Sequence, residues 1–102
     1  MRDTGGMAIS LDYCLDRVLD IHRNDVLFSA SDIGWVVGHS FCVYGPLIRG
    51  ASTVIYEGKP IGTHDSSAYW RIIEGKRVKH LYTSPTALRV LRNEDPEGKF
   101  IK

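Results

Sequence analysis

One stretch of this 102-residue sequence combines residue types that bind small ligands, namely Asp32-Ile33-Gly34-Trp35-Val36-Val37-Gly38-His39-Ser40. In this turn, Trp35 is suited to wall an apolar pocket, and His39 is suited to donate a hydrogen bond to a ligand held beside Gly34. The chemistry that these residues favour is recognition of a small, partly apolar molecule. The alternative is structural: Trp35 belongs to the core and His39 caps a helix. Local spacing alone favours that alternative.

Other kinds of site are less well supported. His39 and Cys42 are three residues apart, but a zinc site needs about four ligands in close local pairs, and no second pair follows. We therefore predict no metal site, no locally assembled set of catalytic residues, and two cysteines that act as packing residues. The glycine-rich motifs that hold phosphates are absent from the sequence. The segment Ser84-Pro85-Thr86 has free backbone N–H groups for an anion, although a helix cap is the better interpretation.

Composition narrows the possible partners. The 13 Lys and Arg against 12 Asp and Glu leave a formal charge of +1, so no electrostatic footprint for nucleic acid or an anionic membrane is present. Apolar runs are shorter than the roughly 18–20 residues of a membrane span. Residues 1–6 lack the apolar stretch of a signal peptide, and two cysteines fit a reducing compartment. The length and the 43% of hydrophobic residues predict one small α/β or α+β domain.

The elements around the Trp35 turn alternate between helix and strand. Apolar residues at helical spacing predict a first helix over 7–21, with Asp3 or Thr4 as its cap and Asp12, Asp16 and Asp20 as a solvated acidic ridge. Strands are predicted near 26–30, 52–57 and 79–83. Helices are predicted at 39–48 (kinked at Pro46 or beginning near Gly45), 68–74 and 86–92. Strands separated by helices predict an α/β fold with parallel pairing.

Four segments in order resemble one family: residues 31–40, 43–47, 53–60 and 81–89. Together they resemble the short-chain acyl-CoA synthetases, the AMP-forming acetate- and propionate-CoA ligases of the adenylate-forming superfamily. The segments Glu57-Gly58-Lys59-Pro60-Ile61-Gly62-Thr63 and Arg2-Asp3-Thr4-Gly5-Gly6 are most similar to the propionyl-CoA synthetase-like branch. The resemblance implies an α/β slice of the N-terminal domain of such an enzyme, with residues 1–102 as a single incomplete domain.

The resemblance also implies a reaction and site residues. A short-chain carboxylate, ATP and CoA are the substrates, with magnesium as the metal of the whole enzyme. Trp35 is expected to close the acyl pocket and Val36 to line it. Val37 and Ile61 are expected near the CoA and the acyl end, where family members often carry threonine and asparagine instead. Gly34 and His39 remain the candidate ligand turn.

Several family elements are expected outside the sequence. The phosphate loop should precede Arg2, and the adenine segment, the ribose ligand and the catalytic lysine should follow Lys102. We therefore assign no catalytic residue to this chain, expect it to hold none of the cofactors alone, and expect the isolated chain to be inactive and prone to aggregate. The family implies a cytoplasmic or mitochondrial-matrix enzyme. The alternative is a non-catalytic truncated product or a small α/β binding module.

Overall fold

A three-stranded parallel sheet forms the centre of the computed structural model, which describes residues 3–59 and 66–101. Its strands are β1 (Val26–Ala30), β2 (Ser52–Val54) and β3 (His80–Thr83), with β1 between the other two. Both pairings of β1 are parallel. The predicted α/β architecture is therefore confirmed, although β2 ends at Val54, three residues before the predicted 57.

In the described part of the chain, five helical segments surround the sheet: α1 (Thr4–Arg17), a π-helical segment (Gly38–Tyr44), α2 (Gly45–Ile48), α3 (Ala68–Gly75) and α4 (Pro85–Glu94). The Asp3 carboxylate accepts the Gly6 N–H at 3.3 Å, and the Ser84 hydroxyl accepts the Ala87 N–H at 3.1 Å. Both predicted helix caps are therefore confirmed. Because Asp3 caps the helix, α1 lies a few residues earlier than the predicted 7–21. Among the described residues, no helix is long and apolar enough to span a membrane.

The two faces of the sheet pack against different helices. Successive side chains of a strand point to opposite faces, so neighbouring residues of β1 enter different clusters. Leu27 packs with Leu15 of α1, while Phe28 packs with Tyr69 of α3 and Leu91 of α4. Both β1 residues are completely buried. The central strand is therefore sandwiched between α1 on one face and α3 with α4 on the other.

Pro46 explains why the predicted single helix over 39–48 is two segments. Proline has no N–H, so it cannot donate to the Cys42 carbonyl four residues earlier. The Thr53 hydroxyl of β2 donates to that carbonyl instead, at 2.7 Å. The Gly45 N–H donates to the Ser40 carbonyl, five residues back, which is the π-helical pattern. The irregular segment is thereby fixed to the sheet.

The predicted acidic ridge on α1 is not simply solvated, which corrects that expectation. Arg49, at the end of α2, donates to Asp12 at 3.1 Å and to Asp16 at 3.0 Å. Its Nε also donates to the Ile21 carbonyl at 3.2 Å. Local spacing could not predict this contact because Arg49 lies 33 and 37 residues further along the chain. These three hydrogen bonds of Arg49 fix α1 against α2.

Candidate functional site

A cleft of about 930 Å³ opens at the carboxyl ends of all three strands. Its walls come from the segments that follow β1, β2 and β3, together with Tyr69 of α3. Chain order and spatial order differ here: β2 and β3 follow β1 in the chain but lie on opposite sides of it. Ligands of open α/β sheets bind at such switch points, outside the carboxyl ends of the strands. The cleft is therefore the candidate functional site.

The turn after β1 is held by its own hydrogen bonds. The Asp32 carboxylate accepts the Gly34 N–H at 2.8 Å, and the Asp32 carbonyl accepts the Trp35 N–H at 3.1 Å. The Trp35 carbonyl in turn accepts the His39 N–H at 3.1 Å. Asp32 thus fixes the direction in which the Trp35 side chain leaves the backbone.

Three consecutive residues of this turn face different spaces. Trp35 lines the cleft and is 67% exposed, so it is not part of the core that the described residues form. Val36, 49% exposed, lines a second, smaller cavity of about 220 Å³ against α1. Val37 is half-buried and lines both spaces.

The remaining predicted residues are less closely associated with the cleft. Gly34 is exposed in the turn and donates its N–H to Asp32. His39 is exposed near the start of the π-helical segment, and it is not among the described residues that line the cleft. Ile61 lies outside the described residues. The structure therefore brings Trp35 and Val37 to the cleft, while Gly34 shapes the turn from outside it.

Sequence reasoning missed an aromatic wall on the opposite side of the cleft. Tyr56, after β2, and Tyr69, on α3, lie edge to face with ring centroids 5.8 Å apart, and each also meets Phe28 edge to face. Burial raises the pKa of Tyr69 above its ordinary 10.0, and Tyr56 adds to the rise. The Tyr69 phenol is therefore neutral at physiological pH. The rule that ligands bind after strand ends, applied here to β2 as well as to β1, would have pointed to Tyr56.

The floor of the cleft lies where the π-helical segment packs on β1. The buried Cys42 thiol donates to the Ser29 carbonyl at 3.0 Å, and both residues line the cleft. The Ser29 hydroxyl is buried and has no hydrogen-bond partner among the described residues. Of the two cysteines predicted to be packing residues, Cys42 is buried, whereas Cys14 is only partly buried.

The charge of the cleft suits an uncharged ligand group better than a phosphate. Asp32 and Glu57 are its acidic lining residues, and none of the described lining residues is a lysine or an arginine. Within residues 3–59 and 66–101, no group of three or more His, Cys, Asp or Glu side chains could hold a metal ion. The described walls therefore offer aromatic and aliphatic contacts, and they offer no counter-charge for a triphosphate.

Comparison with known proteins relates this arrangement to one class of enzyme. A family model described as "AMP-binding enzyme" matches residues 1–101. An uncharacterized protein of Pseudomonas aeruginosa is 50% identical over 102 residues, which are all of this chain and 16% of that protein. Human "Acyl-CoA synthetase short-chain family member 3, mitochondrial" is 47% identical over 96 residues, 94% of this chain and 14% of that protein. These relatives are much longer than this chain.

A solved structure shares the fold. The crystal structure of an acyl-CoA synthetase from Brucella canis matches with a TM-score of 0.77 and 28% identity, over 89% of this chain and 16% of that one. The parallel sheet described above therefore corresponds to one part of a much larger enzyme.

Proposed function

We propose that this chain, which belongs to the AMP-binding enzyme family, forms the acyl-pocket segment in the N-terminal domain of an AMP-forming short-chain acyl-CoA ligase. In the proposed reaction, an acetate or propionate oxygen attacks the α-phosphorus of ATP, which gives acyl-AMP and releases pyrophosphate. The CoA sulfur then attacks the acyl carbon, the thiol proton is lost, and AMP leaves. The chain spans 14% to 16% of the curated relatives described above, so most of that enzyme is not represented by these residues.

The observation that carries the proposal is the position of Trp35. Trp35 follows the carboxyl end of the central strand and lines the cleft, and its backbone N–H donates to the Asp32 carbonyl. An indole in that place forms an apolar wall, and we propose that in the whole ligase this wall limits the length of the acid. We assign the closure of the acyl pocket to Trp35. Val36 is proposed to line the pocket from the same turn, although among the described residues it borders the smaller cavity and not the cleft.

We place CoA near the same turn. Val37 borders the cleft from the π-helical side, and we propose that the CoA thiol approaches the acyl carbon beside it. Ile61 is proposed to contact CoA as well, from outside the described residues. An apolar valine here would exclude water from the thioester-forming step without contributing a proton donor or acceptor.

ATP and magnesium require groups that the described residues do not supply. The cleft residues offer two carboxylates and no described basic side chain, so we derive no step of phosphate or metal binding from them. In the proposed enzyme these groups belong to the rest of the ligase. The same proposal implies a cytoplasmic or mitochondrial-matrix enzyme.

A composite ligase tests the proposal. In this protein, which we call the composite ligase, the present chain replaces the matching segment of human acyl-CoA synthetase short-chain family member 3. Acid-dependent exchange of pyrophosphate into ATP is measured with acetate, propionate, butyrate and hexanoate. We expect exchange with the short acids, and Trp35→Gly should raise the butyrate-to-propionate ratio by about tenfold, because an added methylene in an apolar pocket is worth about that factor or more.

Trp35→Phe is the matched control, because it keeps a ring in the turn and should retain the preference for short acids. The isolated 102-residue chain should give no exchange above background. A composite ligase that is folded but inactive beside an active parent would favour the alternative binding module. An unchanged acid preference in Trp35→Gly would remove the assignment of Trp35.

A further inference from the structure

Tyr69, on α3, is a nearly enclosed tyrosine whose ring is held in place by its neighbours. Only 3% of the residue is exposed. Its ring lies edge to face against Phe28 at a centroid distance of 5.2 Å and against Tyr56 at 5.8 Å. Because closely packed core side chains have little freedom to reorient, the direction in which the phenol oxygen points is set by this aromatic cluster.

The hydroxyl group of Tyr69 has no hydrogen-bond partner in the described part of the chain. Two described buried side-chain atoms lack a partner and are also sealed from solvent, namely Ser29 Oγ and His80 Nδ1. The Tyr69 oxygen is not one of them, so it remains in contact with open space. The open space that Tyr69 borders is the cleft of about 930 Å³. A nearly buried phenol therefore presents an unused polar atom to the cleft.

Other hydroxyl groups of the cleft lining are directed toward the protein itself. The Thr83 hydroxyl donates to a backbone carbonyl of β1 at 3.5 Å, and the Ser84 hydroxyl accepts a backbone N–H of α4 at 3.1 Å. The Tyr56 oxygen would stand 2.5 Å from a Cβ added at Gly58, so it faces the loop after β2. Tyr69 is therefore the hydroxyl group best placed to bind a ligand, since a buried polar group without a partner is costly unless the ligand supplies one.

The charge of the surroundings favours an uncharged partner for this hydroxyl. Burial raises the pKa of Tyr69 above its ordinary value and Tyr56 adds to the rise, so the phenol keeps its proton and can donate it. The described lining contains the carboxylates of Asp32 and Glu57 and no lysine or arginine, so a second anionic group on a ligand would be repelled. A neutral hydroxyl oxygen can accept the Tyr69 hydrogen bond without that repulsion.

We infer that Tyr69 donates a hydrogen bond to an uncharged oxygen on the tail of the acid, and that the ligase therefore takes short hydroxy acids as well as unsubstituted ones. The inference rests on the proposed function, because its ligand is the acid of that reaction. We assign the oxygen to the acid and not to CoA, since CoA is proposed to approach beside Val37 on the π-helical side, whereas Tyr69 lies with Phe28 on the α3 face of the sheet. Trp35 then limits the length of the acid, and Tyr69 selects for an oxygen at a given length.

The experiment compares the composite ligase with its Tyr69→Phe variant, which keeps the ring and removes the hydroxyl. Acid-dependent pyrophosphate exchange is measured with two pairs of acids matched in size: glycolate with propionate, and 3-hydroxypropionate with butyrate. In each pair a hydroxyl group takes the place of a methyl group. Tyr69→Phe should lower the hydroxy-to-alkyl ratio of kcat/KM by about three- to tenfold in the pair whose oxygen Tyr69 reaches. The loss should appear mainly as a raised KM, because the contact is present in the ground state and in the transition state.

Stability separates this binding role from a structural one. Because the Tyr69 hydroxyl has no partner in the fold, Tyr69→Phe should leave the midpoint of thermal unfolding unchanged or raise it. Tyr13→Phe removes the same atom from a tyrosine of α1 that is 65% exposed and is not among the described lining residues of the cleft. This control should change neither the two acid ratios nor the unfolding midpoint.

Binding measured without catalysis keeps the inference separate from the proposed function. Exchange with propionate in the unmodified composite ligase tests that function. Saturation-transfer NMR with the two acids of each pair in competition, without ATP, tests the hydrogen bond even if exchange is absent. We expect the hydroxy acid to compete about three- to tenfold less well in Tyr69→Phe than in the parent.

Four outcomes would overturn the inference. Unchanged ratios for both pairs in a folded Tyr69→Phe variant would exclude the hydrogen bond. Equal losses for all four acids with a lowered unfolding midpoint would make the hydroxyl structural. A raised KM for CoA with unchanged acid ratios would place the oxygen on CoA. A fall in the ratios caused by Tyr56→Phe and not by Tyr69→Phe would assign the contact to the other tyrosine.

Discussion

Gly38 lies directly against the backbone of Asp32: a Cβ added at Gly38 would stand 2.2 Å from the Asp32 carbonyl oxygen. It would also stand 2.6 Å from the Ile33 Cα. Backbone atoms cannot move aside as the end of a flexible side chain can. The contact explains why the chain can turn back on itself after β1 and keep Trp35 over the cleft.

Gly38→Ala should therefore displace the turn. We expect the free energy of local opening of residues 26–44 in the composite ligase to fall by about 3 kcal/mol, at the upper end of the usual cost of overpacking. Amide hydrogen exchange measures this quantity peptide by peptide. Gly75→Ala, at the end of α3 with nothing within 4 Å of an added Cβ, is the control and should be neutral or stabilising. Equal effects of the two substitutions would contradict the close approach at Gly38.

Arg49 should contribute measurably to the position of α1. Arg49→Ala removes the partner that Asp12 and Asp16 share, although Asp16 keeps Arg17 at 3.2 Å. The free energy of local opening of α1 should therefore fall by about 1 kcal/mol. Arg49→Lys should recover only part of this loss, because an ammonium group cannot span both carboxylates as a guanidinium does. Amide hydrogen exchange over α1, residues 4–17, is the measurement.

The control for Arg49 is an exposed ion pair. Lys99 and Glu97 lie 3.0 Å apart with side chains 72% and 73% exposed, so Lys99→Ala should cost less than about 0.5 kcal/mol. If Arg49→Ala lowers the opening free energy of α1 by no more than Lys99→Ala lowers the stability of its own segment, the contacts of Arg49 with Asp12 and Asp16 have no energetic role.

Asp25 should make the amino-terminal end of the sheet sensitive to acid. The His22 N–H donates to its carboxylate at 2.7 Å and Lys79 Nζ at 3.0 Å, and these contacts hold the pKa of Asp25 below its ordinary 3.8. Since the folded-state pKa is the lower one, the stabilisation is present above pH 3.8 and is lost as the pH falls through the folded value. Asp20 also faces this cluster, accepting from Lys79 and His22.

Asp25→Asn should remove the part of the acid sensitivity that comes from protonation of the Asp25 carboxylate. Between about pH 6 and about pH 3, the opening free energy of residues 26–30 should fall less in the variant than in the parent, after correction for the intrinsic exchange rate at each pH. Glu94→Gln, which removes an exposed carboxylate on α4, should leave the parent's pH dependence unchanged. A variant that loses stability in acid as steeply as the parent would show that Asp25 is not the titrating group.

The sequence was sufficient to predict those features that depend on residues only a few positions apart. The Ser84 cap followed by Pro85, the Asp3 cap, and Gly50 with its φ of +68° at the end of α2 each depend on residues a few positions apart. The alternation of helix and strand likewise gave parallel pairing. The Trp35 turn was recognisable because two glycines flank an exposed aromatic residue after a buried strand.

Only the tertiary structure decided how these pieces form a cleft. Tyr56 and Tyr69 reach the space beside Trp35 because β2 and β3 lie on opposite sides of β1, and strand order is a property of the whole sheet. Arg49 contacts α1 because the fold packs α2 against α1, although 33 and 37 residues separate it from Asp16 and Asp12. The division of the turn between two cavities was also invisible in the sequence, because Val36 and Val37 are chemically identical there. The backbone direction fixed by Asp32 and Gly38 determines which space each valine lines.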